Sequence, residues 1–290
     1  MTRSGSSSTA AEYAVAHGLK PTGLRPSFWH YLKGIWQRRS FISAFAWAKV
    51  ESANAESRLG QFWQLINPLF SAAIYYFIFG VLLQTSRGIE NFVAYLVVGV
   101  FLFTLIQRSI SAGASSIRTN IGLVRALHFP RAILPISAVL EQLIAFGASL
   151  FIMIPVLLLT GEPITWSWLL FFPAVLIVVI FCMGASLLFA RLAANTKDVS
   201  QILPFGLRAW MYASGVFYSV DRFTAGFPEW VTTVLNLNPG AIFLQITRDA
   251  LLESYSAPAI VWVWAAGWAV GSFVIGFLVF WSDEAAYGQS

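Results

Sequence analysis

Three polar side chains stand inside long apolar runs of this 290-residue chain: Glu141, Gln142 and Arg208. An ionisable group in hydrocarbon is costly and usually faces protein or water, where it can relay a proton, hold an ion or attract an anionic headgroup. Glu141 and Gln142 lie about two helical turns from the basic side of their run, a depth that suits a structural hydrogen bond as well as a transport role. Arg208 is about two turns inside its own run, too deep for an ordinary topology charge, although its side chain could still snorkel to bulk headgroups. If it faces an internal cavity instead, it could attract an anion or pair with Glu141.

Other reactive chemistry is sparse. No HExxH, CxxC, GxSxG or P-loop pattern occurs, and His17, His30 and His128 are scattered without a carboxylate or cysteine at metal-ligand spacing. A self-contained ATPase needs a glycine-rich loop with Lys and Ser/Thr for phosphate and magnesium. The expectation is no catalytic, cofactor or metal site in this chain. Cys182 is the sole cysteine, which excludes an internal disulfide.

The elements that carry these residues are six apolar runs near residues 65–83, 92–111, 133–159, 168–190, 200–220 and 260–281. About 20 apolar residues span the roughly 30 Å hydrocarbon layer as a helix, and a helix satisfies its own backbone there. The chain is 58% hydrophobic and 11% charged, where soluble domains carry about 25% charged residues. Continuous rather than alternating runs exclude a porin-like barrel. The expected fold is therefore an all-α polytopic membrane protein with six transmembrane helices.

Charge sets the expected orientation. Arg3, Lys20, Arg25, Lys33, Arg38, Arg39, Lys49 and Arg58 precede the first run; Arg108, Arg118, Arg125 and Arg131 follow the second; Arg191 and Lys197 follow the fourth. Arg87, Arg222 and Arg248 fall on the opposite side. The positive-inside rule places the larger group, and both termini, in the cytoplasm of a cell whose plasma (inner) membrane holds the protein. Topology accounts for the net charge of +5, and no compact basic and aromatic module speaks for nucleic acid.

Residues 1–27 read as a disordered cytoplasmic tail, 28–61 as interfacial and gate helices, 62–282 as the membrane domain, and 283–290 as a second cytoplasmic tail. Phe28, Trp29, Leu32, Ile35 and Trp36 recur at helical spacing opposite Lys33, Gln37 and Arg38. Such a helix can lie in the headgroup plane or pack on the membrane domain. Residues 221–255 are too apolar for a hydrophilic loop. Two short re-entrant helices broken at Asn238-Pro239-Gly240 account for them, with a hidden pair of spans as the alternative. Gly267 and Gly271 offer the last span a small-residue contact face.

Two motifs on the basic side carry a family resemblance: the run Arg58-Leu59-Gly60-Gln61-Phe62-Trp63 through Asn67-Pro68, and the run Asn120-Ile121-Gly122-Leu123-Val124-Arg125 through Phe129-Pro130-Arg131 to Pro135. With Arg191, Asp198 and Asn238-Pro239 farther on, they resemble the membrane subunit of type 2 ABC exporters that move O-antigen, teichoic acid and capsule polymers. The Ser/Ala-rich leader and aromatic span edges are similar to the branch that exports mycobacterial cell-wall galactan.

The resemblance implies a homodimer paired with two copies of a separate cytoplasmic ATPase, which would bind ATP and Mg. It implies a lipid-linked polysaccharide as substrate. Trp29, Trp36, Arg58, Gly60, Trp63 and Pro68 would belong to interfacial and gate elements. Asn120, Leu123, Val124, Arg125, Phe129 and Pro130 would form the coupling helix and its exit, and Trp230, Asn238 and Pro239 the re-entrant pair. Tyr75, Tyr76, Glu141, Gln142, Arg208, Trp210, Tyr212 and Tyr218 are candidates for the substrate path, since sugars suit aromatic faces and amide or hydroxyl groups. The aromatics among them suit an interfacial belt equally. Two other functions fit parts of the pattern: export of a smaller lipid or drug on the same fold, and a polyprenyl-phosphate-processing membrane enzyme.

Overall fold

The computed structural model describes residues 27–55, 61–85, 88–127 and 129–284, and every regular element among them is helical. The N-terminal tail and the gate residues Arg58 and Gly60 lie outside the described residues, as does the side chain of Trp63. In chain order the helices are α1 (Phe28–Gln37), α2 (Arg39–Ala55), α3 (Gln61–Tyr75), α4 (Phe92–Thr119), α5 (Ile121–Ala126) and α6 (Ile133–Leu159). They continue with α7 (Phe171–Asn195), α8 (Lys197–Ala213), α9 (Val220–Phe223), α10 (Glu229–Asn236), α11 (Pro239–Leu251) and α12 (Ala259–Ser282).

Among the described residues four segments are long and apolar enough to cross a membrane: α4, α6, α7 with its preceding turn, and α12. They coincide with the second, third, fourth and sixth apolar runs. The first run is shorter, Ile66–Leu82, and widens after α3 into a π-helical stretch, where the Leu83 N–H donates to Ile78 O at 2.9 Å. The fifth run forms α8, whose Lys197, Asp198, Gln201 and Arg208 set it apart from the apolar four. Arg108, assigned by sequence to the connection after the second run, lies within α4, which continues to Thr119.

Helix α4 is the axis of the bundle. It is almost wholly apolar from Phe92 to Ile106 and most of its length is buried, as expected of a helix surrounded by others. It packs on α6 and α7, and α12 runs along the opposite side of α7. The outer sides of α6 and α12 leave Phe151, Leu159, Val263 and Ile275 exposed, as lipid-facing surfaces require. Pro135 falls in the first turn of α6, where its missing N–H costs nothing, and α6 runs past Pro155 to Leu159.

Small residues let the central helices approach. A Cβ on Gly276 of α12 would stand 2.0 Å from Gly184 O of α7, and one on Gly184 would meet the Ser272–Phe273 backbone at 2.3 Å. On the other side of α7, Ser186 faces Gly113 of α4, and its hydroxyl donates to Ser109 O at 2.9 Å. Gly267 and Gly271, the contact face expected from sequence, have open space where a Cβ would go. The crossing point lies one to two turns farther along α12.

Gly184→Ala and Gly276→Ala should each destabilise the bundle by about 1–3 kcal/mol or more, because the new methyl meets backbone that cannot rotate away. Gly271→Ala should stay within about 0.5 kcal/mol of the parent. Denaturant midpoints in one detergent check this; equal midpoints for Gly276→Ala and Gly271→Ala would place the crossing elsewhere.

Candidate functional site

Helix α8 is two-faced. Leu203, Leu207 and Met211 recur every fourth residue and are buried, while Gln201, Phe205, Arg208 and Tyr212 are exposed on the other side. The buried face is fixed to the axis by Gln107 of α4, which donates to Leu207 O at 3.0 Å. The end of α3 comes close to α8: Tyr75 and Tyr212 both pack on Phe217, with ring centroids 4.5 and 5.3 Å from it, and Tyr75 interacts with Tyr212 and Arg208. Tyr76 is partly exposed beyond them, against Phe92. The result is an open lane of hydroxyls, an amide and a guanidinium along one side of the bundle.

The remaining path candidates lie elsewhere. Gln142 donates to Glu141 at 3.2 Å. Glu141 lines a cavity of about 200 Å³ between α2, α4 and α6, shared with Lys49, Ser115, Thr119, Asn120 and Ser137. Lys49 is the cation that acts on Glu141, and among the described residues no ion pair joins Glu141 to Arg208. Gln142 borders a smaller pocket with Pro68 and Arg108. Arg108 is thus a guanidinium within a candidate span, α4, that the sequence reading had placed in a connection.

Trp210 turns inward. Its indole N–H donates to Asn238 Oδ1 at 2.6 Å, and its ring lies between Phe103 and Phe181. Asn238 also accepts from Gly240 N–H at 3.0 Å, capping α11, while its amide donates to Ser214 Oγ at 3.0 Å. This one side chain therefore ties the start of α11 to α8. Gly240 abuts Phe103, about 16 Å along α4 from its Phe92 end. The other end of α11 reaches Tyr95 and Gly99, so the helix leads from within the bundle toward the end where α4 begins. Helix α10 precedes it with Trp230 exposed, and the break falls at Leu237–Asn238, one residue from the expected one.

Arg248 holds the backbone at that end. Read from sequence as a topology charge, it is only 5% exposed. The chain leaves α8 through Gly215 at φ +73°, in the left-handed region that favours glycine. The freed carbonyls of Gly215 and Val216 accept from Arg248 at 3.2 Å each, and its guanidinium stacks on the Tyr95 ring. The Tyr95 hydroxyl lies 3.0 Å from Gly215 O and 2.9 Å from Tyr218 O. Tyr218 thus serves through its backbone, its ring resting on Phe223. A cavity of about 290 Å³ opens beside this node, lined by Asp221, Asn236, Gln245 and Tyr255 among others. Burial first, and the neighbouring Tyr95 next, push the Tyr255 phenol up to about 12, so it borders the cavity as a neutral group.

The basic end carries the expected coupling residues. In α5 Val124 is buried within the chain, whereas Gly122, Arg125, Ala126 and Leu127 are exposed. The face available to a partner is therefore Arg125 and Leu127, with Leu123 half-buried and Val124 facing inward. Asn120 donates back to Ser116 O at 2.7 Å and ends α4. Phe129 meets Phe41 of α2, and Pro130 rests on Gly34 of α1.

Helix α1 uses two stripes. Phe28, Tyr31, Leu32 and Ile35 join an internal cluster with Phe277 and Phe280 of α12, while Trp29 and Trp36 are 77% and 70% exposed. Packing on the membrane domain and presenting tryptophan outward belong to different sides of one helix. At its centre the Tyr31 hydroxyl donates to Glu284 Oε2 at 2.6 Å. Asp283 pairs with Arg191 at 2.7 Å. The first two residues assigned to a C-terminal tail are thus built into the fold.

Two outcomes follow from this geometry. Asn238→Ala should cost about 1–3 kcal/mol, because the buried Trp210 N–H is left without an acceptor. Trp210→Phe in that background should recover part of the loss, and a double-mutant cycle on unfolding midpoints reads the coupling. At the other end, burial raises the Glu284 carboxyl above its usual range, against the opposing pull of Tyr31 and Arg131. The folded chain then binds this proton more tightly than the unfolded one, and the group's contribution to stability falls as pH rises through the folded value. Amide protection in α1, corrected for intrinsic exchange, should be higher at pH 5 than at pH 7. Glu284→Gln keeps the Arg191–Asp283 pair and serves as the control; an equal pH difference in that variant would assign the effect to another group.

Comparison with known proteins places this arrangement. Residues 41–252 match the ABC-2 type transporter family. The O-antigen export system permease protein RfbA of Klebsiella pneumoniae is 27% identical over 198 residues, covering 68% of this chain and 74% of the relative. A protein of the same name from Myxococcus xanthus is 25% identical over 246 residues, covering 81% of this chain and 93% of the relative. The family match takes in α3 to α11 whole, including the two-faced α8, the exposed face of α5 and the Asn238 node, and by it the chain belongs to the ABC-2 type transporter family.

Proposed function

We propose that this chain is the transmembrane subunit of an ATP-driven exporter that carries a lipid-linked cell-wall polysaccharide, galactan by the resemblance of its leader and span edges, from the cytoplasmic side across the plasma membrane. The observation that carries the reading is the exposed side of α8. A membrane-embedded helix that leaves Gln201, Arg208 and Tyr212 uncovered within one chain needs a water-filled path or a second subunit beside it. Polysaccharide is suited to such a lane, where Tyr75, Tyr76 and Tyr212 offer aromatic faces and hydroxyls. Arg208 then attracts the pyrophosphate of the lipid carrier.

On this reading six spans include α3 and α8, the termini are cytoplasmic, and α10 and α11 are re-entrant on the outward side. Two copies of the chain enclose the path between their α3 and α8 faces. Two copies of a cytoplasmic ATPase bind ATP and Mg and dock on the Arg125 and Leu127 face of α5. The names of the RfbA relatives, O-antigen export permeases, support the polysaccharide class.

Reconstitution with the cognate ATPase and the lipid-linked glycan tests it. Arg208→Leu should lower glycan-stimulated ATP hydrolysis about tenfold, the loss of about 1.4 kcal/mol of attraction, with basal hydrolysis retained. Arg208→Lys should keep part of the stimulation through its charge. Leu127→Asp should weaken co-purification of the ATPase. Equal stimulation of parent and Arg208→Leu would remove Arg208 from the path, and stimulation by a short lipid or drug alone would replace the polysaccharide.

A further inference from the structure

Helix α6 is entered through its own turn: the Ile133 and Leu134 N–H groups donate to Pro130 O at 3.1 Å and Arg131 O at 3.0 Å, with Ala132 as the N-cap residue. The two N–H groups just before the helix are held instead by remote segments. The Arg131 N–H donates to Glu284 Oε1 at 2.9 Å, and the Ala132 N–H donates to the Tyr31 hydroxyl at 3.1 Å. Tyr31 in turn donates to Glu284 Oε2 at 2.6 Å. In the reverse direction the Arg131 guanidinium bonds Glu284 O, taking a carbonyl just beyond the end of α12. The Glu284 carboxyl thus sits just before the N-terminus of α6, on the residue that precedes its N-cap.

None of this lies at the surface: Tyr31, Ala132 and Glu284 are 2%, 0% and 7% exposed. The residues just before are held as closely, Phe129 on Phe41 of α2 and Pro130 on Gly34 of α1. A Cβ on Gly34 would stand 3.1 Å from the Pro130 ring, so the two elements are already in contact. The four residues from 129 to 132 are therefore fastened to α1, α2 and α12 as well as to α6, and they lie on the segment that joins α5 to α6.

We propose that Tyr31 and Glu284 form a clamp that makes α1, α6 and α12 move together when α5 is displaced, with Glu284 a positioning residue for transport. The clamp rests on the reading of α5 as the ATPase-docking helix. A chain whose α5 drove α6 alone would leave the last span and the surface helix behind. Here the residues that enter one span are bonded to the end of another, so a shift at α5 reaches both at once.

The test uses the full complex with its ATPase in proteoliposomes. Glu284→Ala and Tyr31→Phe should lower glycan moved per ATP hydrolysed about tenfold, with ATPase bound and basal ATP hydrolysis within about twofold of the parent. Glu284→Gln, which keeps an acceptor for the Arg131 N–H, should restore most of the ratio. Spin labels at Lys33→Cys in α1 and Ser282→Cys in α12 supply a readout without substrate. Their mutual distance should hold through ATP binding in the parent and change in Glu284→Ala. Loss of transport and of ATP turnover in step with folded yield would make the clamp a fold staple only and overturn the proposal, as would unchanged transport per ATP. A parent chain that binds no ATPase would sink the exporter reading itself, and the coupling role with it.

Discussion

Interrupted helices in an apolar interior leave backbone groups that must find partners, and both ends of this molecule are organised by that requirement. Where α8 stops, the carbonyls of Gly215, Val216 and Tyr218 turn away from a regular ladder. Arg248 and Tyr95 take them. A buried guanidinium is otherwise expensive, but here its charge meets carbonyl dipoles and an aromatic face, and that environment replaces water. Asn238 performs the equivalent task for the N–H groups at the start of α11. With those groups satisfied, a helix of 13 residues can begin inside the bundle.

The same constraint has a different consequence at the basic end. The two residues that lead into α6 are bonded by Tyr31 of α1 and by Glu284 just after α12, so three segments distant in sequence share one hydrogen-bonded node. Short charge-assisted bonds of this kind resist separation, because a carboxylate or a buried N–H left alone costs more than the bond itself contributes. The ion pair Arg191–Asp283 lies beside it and joins α7 to the same terminus. Stiffness is thus concentrated where a partner protein would push.

Between the two ends the bundle is asymmetric. Helix α4 and the inner side of α7 are buried and pack through Gly113, Gly184, Gly276 and Ser186, which bring backbones close where lipid offers no hydrophobic drive for association. Helices α3 and α8 are attached along one side only. Their other side mixes Phe70, Phe77 and Phe205 with Tyr212 and Arg208. Lipid tails suit the first three and not the last two. That mixture separates this surface from the uniformly apolar outer sides of α6 and α12, and it is the physical basis for assigning the path there.

Hydropathy and charge were enough to place the four long apolar helices, the short pair broken near Asn238-Pro239, and the amphipathic start at Phe28, because each depends on residues close in sequence. Roles that depend on which faces meet were not legible in this way. Trp210 and Tyr218 looked like path residues and serve the fold; Val124 looked available to a partner and packs inward; Gly271 looked like a crossing point where Gly276 is one. Arg248, Tyr31 and Glu284 read as a topology charge, a member of a surface helix and a tail residue. The sequence by itself determined that this chain is a bundle of apolar helices with a basic end. Only tertiary structure decided which polar groups are spent on unpaired backbone, because the partners of a broken helix are chosen by proximity in space, at separations of up to 253 residues.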